Sequence, residues 1–404
     1  MIMTPGYIDL HCHPSLKPYG KSFNSTAGEN SSDRYDENSV WFYDAPNLFE
    51  RAIQLISGVC KFRQSDFTSL AYGHVKIICA SLYPIERGFF KNKLGTGVLS
   101  DLADTFVTSA GWKRVNYVQS VKNYFEDLER EYNFFRQCEG QPVKTDSGTF
   151  KYVLARDFST VQNALSAQEN IIVVVMSIEG MHALHQDIDA PDEATAMNNV
   201  QRIKQWAHVP FFVTVAHHFN NYLCGHARSL FNIVGNETDQ HEGMDAPFST
   251  MGLNVVKALL SKANGKRVHI DIKHMSAKAR AEYIALLQTD AYKDEKIPII
   301  MSHGACTGTR SMDDPTVIDL QETGPLMLNH DINFYDNELV AMARSQGIIG
   351  LQLDERRIAG EATLKHIKHS IWMNKIRHYR AELLWNQVQH IAELLDKNGL
   401  FAWD

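Results

Sequence analysis

His11 and His13 are separated by one residue in the run Tyr7–His13, and on an extended strand residues two apart leave the same face. Two imidazoles presented together can grip one metal ion. His217, His274 and His303 each end a short run rich in Val and Ile, and Glu179 ends another. Imidazole nitrogen with carboxylate oxygen suits zinc and similar divalent ions, and one carboxylate can serve two of them. The chemistry this points to is hydrolysis, because such ions make hydroxide available near neutral pH and polarise a substrate carbonyl.

Each residue alone has a plainer reading. A single His-x-His occurs readily by chance, a Glu-Gly pair is more often a turn, and His274 or His303 could be a core histidine bonded to a backbone carbonyl. The joint pattern is what argues for a site, since His or Glu stands at the end of five of seven apolar runs. His217 is followed by His218, Phe219, Asn220 and Asn221, so ligand, substrate contact and structural partner all stay open for it. His182, His185, His226 and His330 are lesser candidates. Cys12, between two ligand candidates, should point to the opposite side of its strand.

The elements that must position these residues read as strands at Tyr7–His13, Val75–Leu82, Ile171–Ile178, Phe211–His217, Val268–His274, Ile297–His303 and Gly347–Leu353. Their polarity mostly does not alternate, which suggests parallel strands buried on both faces. Helical spacing lies between them, in Val115, Val118, Val121, Phe125 and Leu128 and again in Val255, Val256, Leu259 and Leu260. Strand, helix, strand in succession implies right-handed crossovers, hence a barrel or an open doubly wound sheet. In a barrel the carboxyl ends of all strands converge on one rim, where catalytic residues sit. Two insertions interrupt the rhythm, a polar one at about 14–72 and a helical one at about 93–152. Neither has the low complexity of a linker, so a single domain over 1–404 is expected.

The chain carries 47 acidic and 40 basic residues, for a formal charge of −7, with no long run of either sign. That balance argues against nucleic acid or an anionic membrane as the main partner. No apolar stretch approaches the roughly 18 residues needed to span a bilayer, and the start lacks a secretory signal, so a cytoplasmic location is expected. Cys12, Cys60, Cys79, Cys138, Cys224 and Cys306 are scattered without C-x-x-C pairs and read as reduced thiols.

With these residues in view, the sequence resembles the renal or membrane dipeptidase family of the amidohydrolase superfamily. "YIDLHCH" looks like its opening strand, "SIEGMHAL" like its Glu-Gly-Gly-His segment and "FVTVAHHFNN" like its Leu-Thr-His segment. "VHIDIKHMS" and "IPIIMSH" are similar to its Val-Asp-Leu-Ser-His and Pro-Val-Ile-Phe-Ser-His blocks. Five blocks in order are far more specific than any one. The resemblance implies an α/β fold, a (β/α)8 TIM-like barrel, and a metal-dependent hydrolase cleaving an amide or peptide bond in a small or dipeptide-like substrate with metal-activated hydroxide. It implies two divalent ions, zinc by preference: His11, His13 and Glu179 hold one, Glu179, His274 and His303 the other, with Glu179 shared. His217 becomes a catalytic contact to substrate and transition state. Hydrolysis of another amide, an ester or a phosphoester, and a barrel that binds metal or ligand without catalysis, are the competing readings. A homodimer is left open.

The sequence departs from the family at three places. His13 stands where the family has aspartate, Ile332 in "NHDINFYDNEL" stands where it has an arginine for the substrate carboxylate, and the 14–72 insertion is longer. The family's last strand, with its aspartate that shuttles the proton, has no counterpart. After the seventh strand Leu384, Val388, Ile391, Leu394 and Leu395 predict a long helix, Asn398 and Gly399 its C-cap, and Leu400–Trp403 the approach to one more strand. A barrel short of its last strand is the expectation.

Overall fold

The computed structural model describes residues 6–45, 47–48, 65–90, 111–230, 239–314, 316, 327–368 and 373–400. Its fold class is the expected α/β one: among the described residues there are seven parallel strands with helices between them, as in a TIM-like barrel short of one strand. The chain divides into two compact units, one comprising Met1–Val213, Leu230–His241 and Leu253–Val268, the other Thr214–Ser229, Glu242–Gly252 and His269–Asp404.

In the first unit the strands are β1 (Tyr7–Cys12), β2 (Val75–Leu82), β3 (Val143–Thr145), β4 (Gly148–Leu154) and β5 (Asn170–Glu179), and β6 (Phe212–Thr214) lies where the chain passes to the second unit. β1 pairs in parallel with β2, and β2 with β5 over six residue pairs from Ile77↔Val173 to Leu82↔Ile178. Ile172, Val173, Val174, Met176 and Ile178 on β5 are fully buried. Each such side chain removed from water stabilises the fold by about 1.5–3 kcal/mol, and that continuous burial explains why the strand reads as an unbroken apolar run.

The other edge of β5 serves two neighbours. β4 pairs in parallel with its first half, Phe150↔Asn170 to Leu154↔Val174, and the Phe211 N–H donates to the Met176 carbonyl further along. β4 itself forms an antiparallel hairpin with β3. The reading of about 93–152 as a helical insertion did not include this hairpin. Among the described residues that segment holds the helices Trp112–Ser120 and Tyr124–Gln137, then the hairpin. The helical pattern from Val115 to Leu128 is also broken in two, because Val121 is extended and the Asn123 side chain caps the second helix by accepting from the Glu126 N–H. Residues 46, 49–64 and 91–110 of the two insertions lie outside the described residues, as does Cys60.

A buried cluster ties the start of the chain to these helices. Arg114 grips Asp127 with two bonds of 2.6 Å, Tyr19 donates to the same carboxylate at 2.8 Å, and the guanidinium lies over the Tyr19 ring at 4.7 Å. The paired charges satisfy one another where neither could remain alone.

In the second unit β7 (His269–Asp271), β8 (Ile300–Gly304) and β9 (Ile348–Leu351) run parallel. The long helix Met373–Lys397 is present, and Gly399 at φ +65 closes it as the sequence predicts, with the Leu400 N–H returning to the Leu395 carbonyl. Its inward face differs from the expected one. Leu394 and Leu395 are buried as expected, but Leu383, Gln387 and His390 are buried too, while Val388 is exposed. Two polar residues hold core positions because each has a dedicated partner: Gln387 accepts from the Cys306 N–H at 2.6 Å, and His390 lies 2.6 Å from Asp336. Of the run proposed to approach a further strand only Leu400 is described; Phe401–Trp403 fall outside. No helix among the described residues is long and apolar enough to cross a membrane.

Candidate metal centre

In the first unit, the ends of β1 and β5 bring three of the predicted ligands together. The carboxylate of Glu179, the last residue of β5, lies 3.3 Å from His11 Nε2 and 2.9 Å from His13 Nε2, and the two Nε2 atoms are 3.1 Å apart. The i, i+2 spacing works as expected, and Cys12 between them is buried on the far side, its Sγ 4.0 Å from the Cys79 carbonyl. β1 is irregular between Asp9 and Cys12, where the Asp9 side chain accepts from the His11 N–H and secures the bend.

Glu179 is followed by Gly180 for a steric reason. Gly180 sits at φ +89, and a Cβ built there would meet His182 Nδ1 at 2.2 Å. Only glycine turns the chain from β5 into the short helix Met181–Leu184 at this point.

The electrostatics of the cluster follow from the hydrogen bonds behind it. His13 Nδ1 is 3.0 Å from the Ser81 carbonyl oxygen, which can only accept, so this nitrogen carries the proton and Nε2 faces Glu179. Burial draws the His13 pKa down, but the Glu179 carboxylate beside it prevails and the net shift is upward. Behind His13, Glu131 accepts from Ser15 Oγ at 2.6 Å and from the Tyr83 N–H at 2.7 Å, and its burial raises its carboxyl to about 6.

In the second unit, His274 Nε2 and His303 Nε2 face each other at 3.2 Å. His274 adopts φ +66, the left-handed region that non-glycine residues seldom enter, with its carbonyl accepting from the Ala227 N–H at 2.9 Å. Burial, then the neighbouring His217, Lys273, His218 and His303, holds its pKa well below the ordinary imidazole range. A neutral imidazole is the form that ligates metal.

His217 is buried with its ring centroid 4.7 Å from that of His274, and His218 lies 3.7 Å from His217 and 5.2 Å from His274. Ser229 Oγ is bonded to His218 Nδ1 at 2.6 Å. His218 thus belongs to the aromatic cluster, a place the sequence reading did not assign it beyond noting its position. His226 bonds the Ala227 and Glu242 carbonyls, His182 bonds the Pro84 carbonyl, and His330 lies 2.8 Å from Asp331, so these three have structural partners. Ile332 is buried, and its carbonyl accepts from the equally buried Lys273 ammonium at 3.1 Å.

The donor set of the first cluster fits a divalent metal. Two imidazole nitrogens and a carboxylate, all within 4.8 Å of one another, are the ligand types that zinc takes. With His13 Nδ1 turned to Ser81, Nε2 is the atom this ring shares with His11 Nε2 and the Glu179 carboxylate, and a divalent cation would take the three donors together.

No family model matches the chain, and no curated protein matches it. Solved structures similar to it include the probable dipeptidase PvdM of Pseudomonas aeruginosa, at 14% identity and a TM-score of 0.46, over 94% of this chain and 81% of the other. A metallopeptidase of Rhodobacter sphaeroides, liganded with a phosphinate mimic of the dipeptide L-Ala-D-Ala, is similar at 12% identity and a TM-score of 0.42, over 91% and 82% of the two chains. An amidohydrolase of Pseudomonas aeruginosa is similar at 13% identity and a TM-score of 0.37, over 70% of this chain and 56% of that one.

Proposed function

We propose that this chain is a metal-dependent hydrolase resembling the membrane dipeptidases, cleaving an amide or peptide bond in a small, dipeptide-like substrate in the cytoplasm. In this reading two divalent ions, zinc by the chemistry of their donors, are held by His11, His13 and Glu179 and by Glu179, His274 and His303. The observation that supports it most is the convergence of His11 Nε2, His13 Nε2 and the Glu179 carboxylate, at 2.9–3.3 Å, with the His13 proton turned away to Ser81.

Divalent ions in such a site supply Lewis acidity to a water nucleophile and to the scissile carbonyl. The protein's own part is orientation. Ser81 fixes which nitrogen of His13 faces inward, the Gly180 turn fixes where β5 ends, and the buried neutral His274 keeps an electron pair available. His217, packed edge-on to His274, is the residue proposed to contact the substrate and the charge that develops on it.

The test is elemental analysis of the purified protein together with hydrolysis of a dipeptide panel and a phosphate-ester panel, each with and without added zinc. Close to two divalent ions per chain with zinc-dependent cleavage of amides supports the proposal. Cleavage of phosphate esters alone reassigns the substrate, metal uptake without turnover of either panel makes the chain a binding protein, and no metal uptake overturns the centre itself.

A further inference from the structure

The second unit holds a buried carboxylate that is not itself among the proposed ligands. Asp271, the last residue of β7, is fully buried and gathers four donors: Ser302 Oγ at 2.6 Å, Thr214 Oγ1 at 2.6 Å, the Ser302 N–H at 3.0 Å and the Lys273 N–H at 3.1 Å. A carboxylate only accepts, so the single hydroxyl proton of Ser302 is directed to Asp271. Ser302 Oγ also lies 2.8 Å from His303 Nδ1. With its proton already given away, that oxygen can only accept, and His303 Nδ1 must be the donor.

We infer that Asp271 and Ser302 are positioning residues that fix His303 as the tautomer protonated at Nδ1, leaving Nε2 as a lone pair aimed at the metal. This rests on the metal-centre reading above. The chain from Asp271 through the Ser302 hydroxyl to the imidazole also leans negative charge toward the ring, which raises the basicity of Nε2 as a ligand. Thr214 completes the device by occupying Asp271 Oδ2 together with Ser302. His13 reaches the same tautomer through a backbone carbonyl, Ser81 O, which no substitution at position 81 removes. His303 depends instead on a side chain, so its contribution can be switched by mutation.

Two measurements test this. In metal-free wild type, long-range proton–nitrogen correlation spectra of the histidine rings should show the neutral form of His303 protonated at Nδ1; protonation at Nε2 overturns the inference without touching the metal reading. Zinc affinity, measured by competition with a chromophoric chelator, should fall about 10–100-fold in Ser302→Ala while Ser302→Thr, which keeps the hydroxyl, stays closer to wild type. Affinity unchanged in Ser302→Ala overturns the inference, as does equal loss in both variants. A wild type that takes up no zinc overturns the metal reading and this inference with it. Should Ser302→Ala fail to fold, the wild-type spectrum still decides.

Discussion

His13 donates through Nδ1 to the carbonyl oxygen of Ser81, 3.0 Å away on the neighbouring strand, and this bond sets the face the ring shows to Glu179. Because Ser81 lies on β2 and His13 just beyond β1, pairing of two parallel strands orients a proposed ligand directly. The sheet is then part of the proposed metal centre rather than a support beneath it.

Replacing Glu179 by Ala should abolish metal uptake at both proposed positions, since it serves each, whereas His185→Ala should leave metal content unchanged. Metal-to-protein ratios after zinc reconstitution and desalting check this. Retention of one ion by Glu179→Ala would show that the carboxylate is not shared.

Gly180→Ala should destabilise the fold by about 1–3 kcal/mol, because it adds strain at positive φ and drives a methyl into the His182 ring. Chemical denaturation of the metal-free protein measures the loss. A midpoint equal to that of wild type would mean the turn relaxes without cost.

Removing one member of a buried ion pair leaves the other uncompensated, so Asp127→Ala should cost about 3–5 kcal/mol by stranding Arg114. Exchanging both for apolar residues should cost much less. A double variant as unstable as the single one would contradict the assignment of the loss to the orphaned charge.

Glu131 has its carboxyl raised to about 6 by burial. A raised folded-state value contributes stability that is complete below the ordinary carboxylate range and is lost as pH rises through about 6. The stability of wild type relative to Glu131→Gln should therefore fall by about 2 kcal/mol between pH 4 and pH 7.5. Denaturation of both metal-free proteins across that range is the measurement, and a difference that stays flat would exclude the shift.

Ile332 offers no guanidinium to a substrate carboxylate, and three arginines that could replace it have other partners: Arg310 pairs with Asp314, Arg356 with Asp354, and Arg357 with the Ser229 carbonyl. Arginine's paired hydrogen bonds have no substitute in isoleucine. Dipeptides with a free C-terminus should be turned over weakly, with kcat/KM no better than for C-terminally blocked analogues. Efficient cleavage of Ala-Ala that survives changing all three arginines would refute this.

The strands were legible because parallel pairing buries both faces and leaves a run of Val and Ile. Val75–Leu82 matches residue for residue, and Ile171–Ile178 grows by one residue at each end. The expected Phe211–His217 shrinks to Phe212–Thr214 because ladder pairing ends before the histidines, which belong to the loop. The β3–β4 hairpin has a weaker signal, with Asp146, Ser147 and Gly148 as turn residues and Phe150, Tyr152 and Leu154 alternating inward over only one short strand. The apolar spacing places the long helix but only part of its inward face, because a polarity pattern cannot register Gln387 and His390 as core residues. Asp271 and Ser302 lay inside recognised blocks, yet their partnership depends on the register of β7 against β8, which spacing along the chain does not encode.

β5 has backbone partners on both edges over most of its length, β2 on one side and β4 followed by Phe211 on the other. Amides in such a strand exchange with solvent only through large openings of the fold, while strand ends with exposed side chains, such as Tyr7 and Ile8 of β1, open locally and often. Glu179 thereby ends a strand paired on both edges, whereas His11 lies on, and His13 just beyond, a shorter strand whose ladder with β2 is irregular. Loss of an ion held between them is therefore expected to begin with the histidine strand, and hydrogen exchange faster in β1 than in β5 would be its signature.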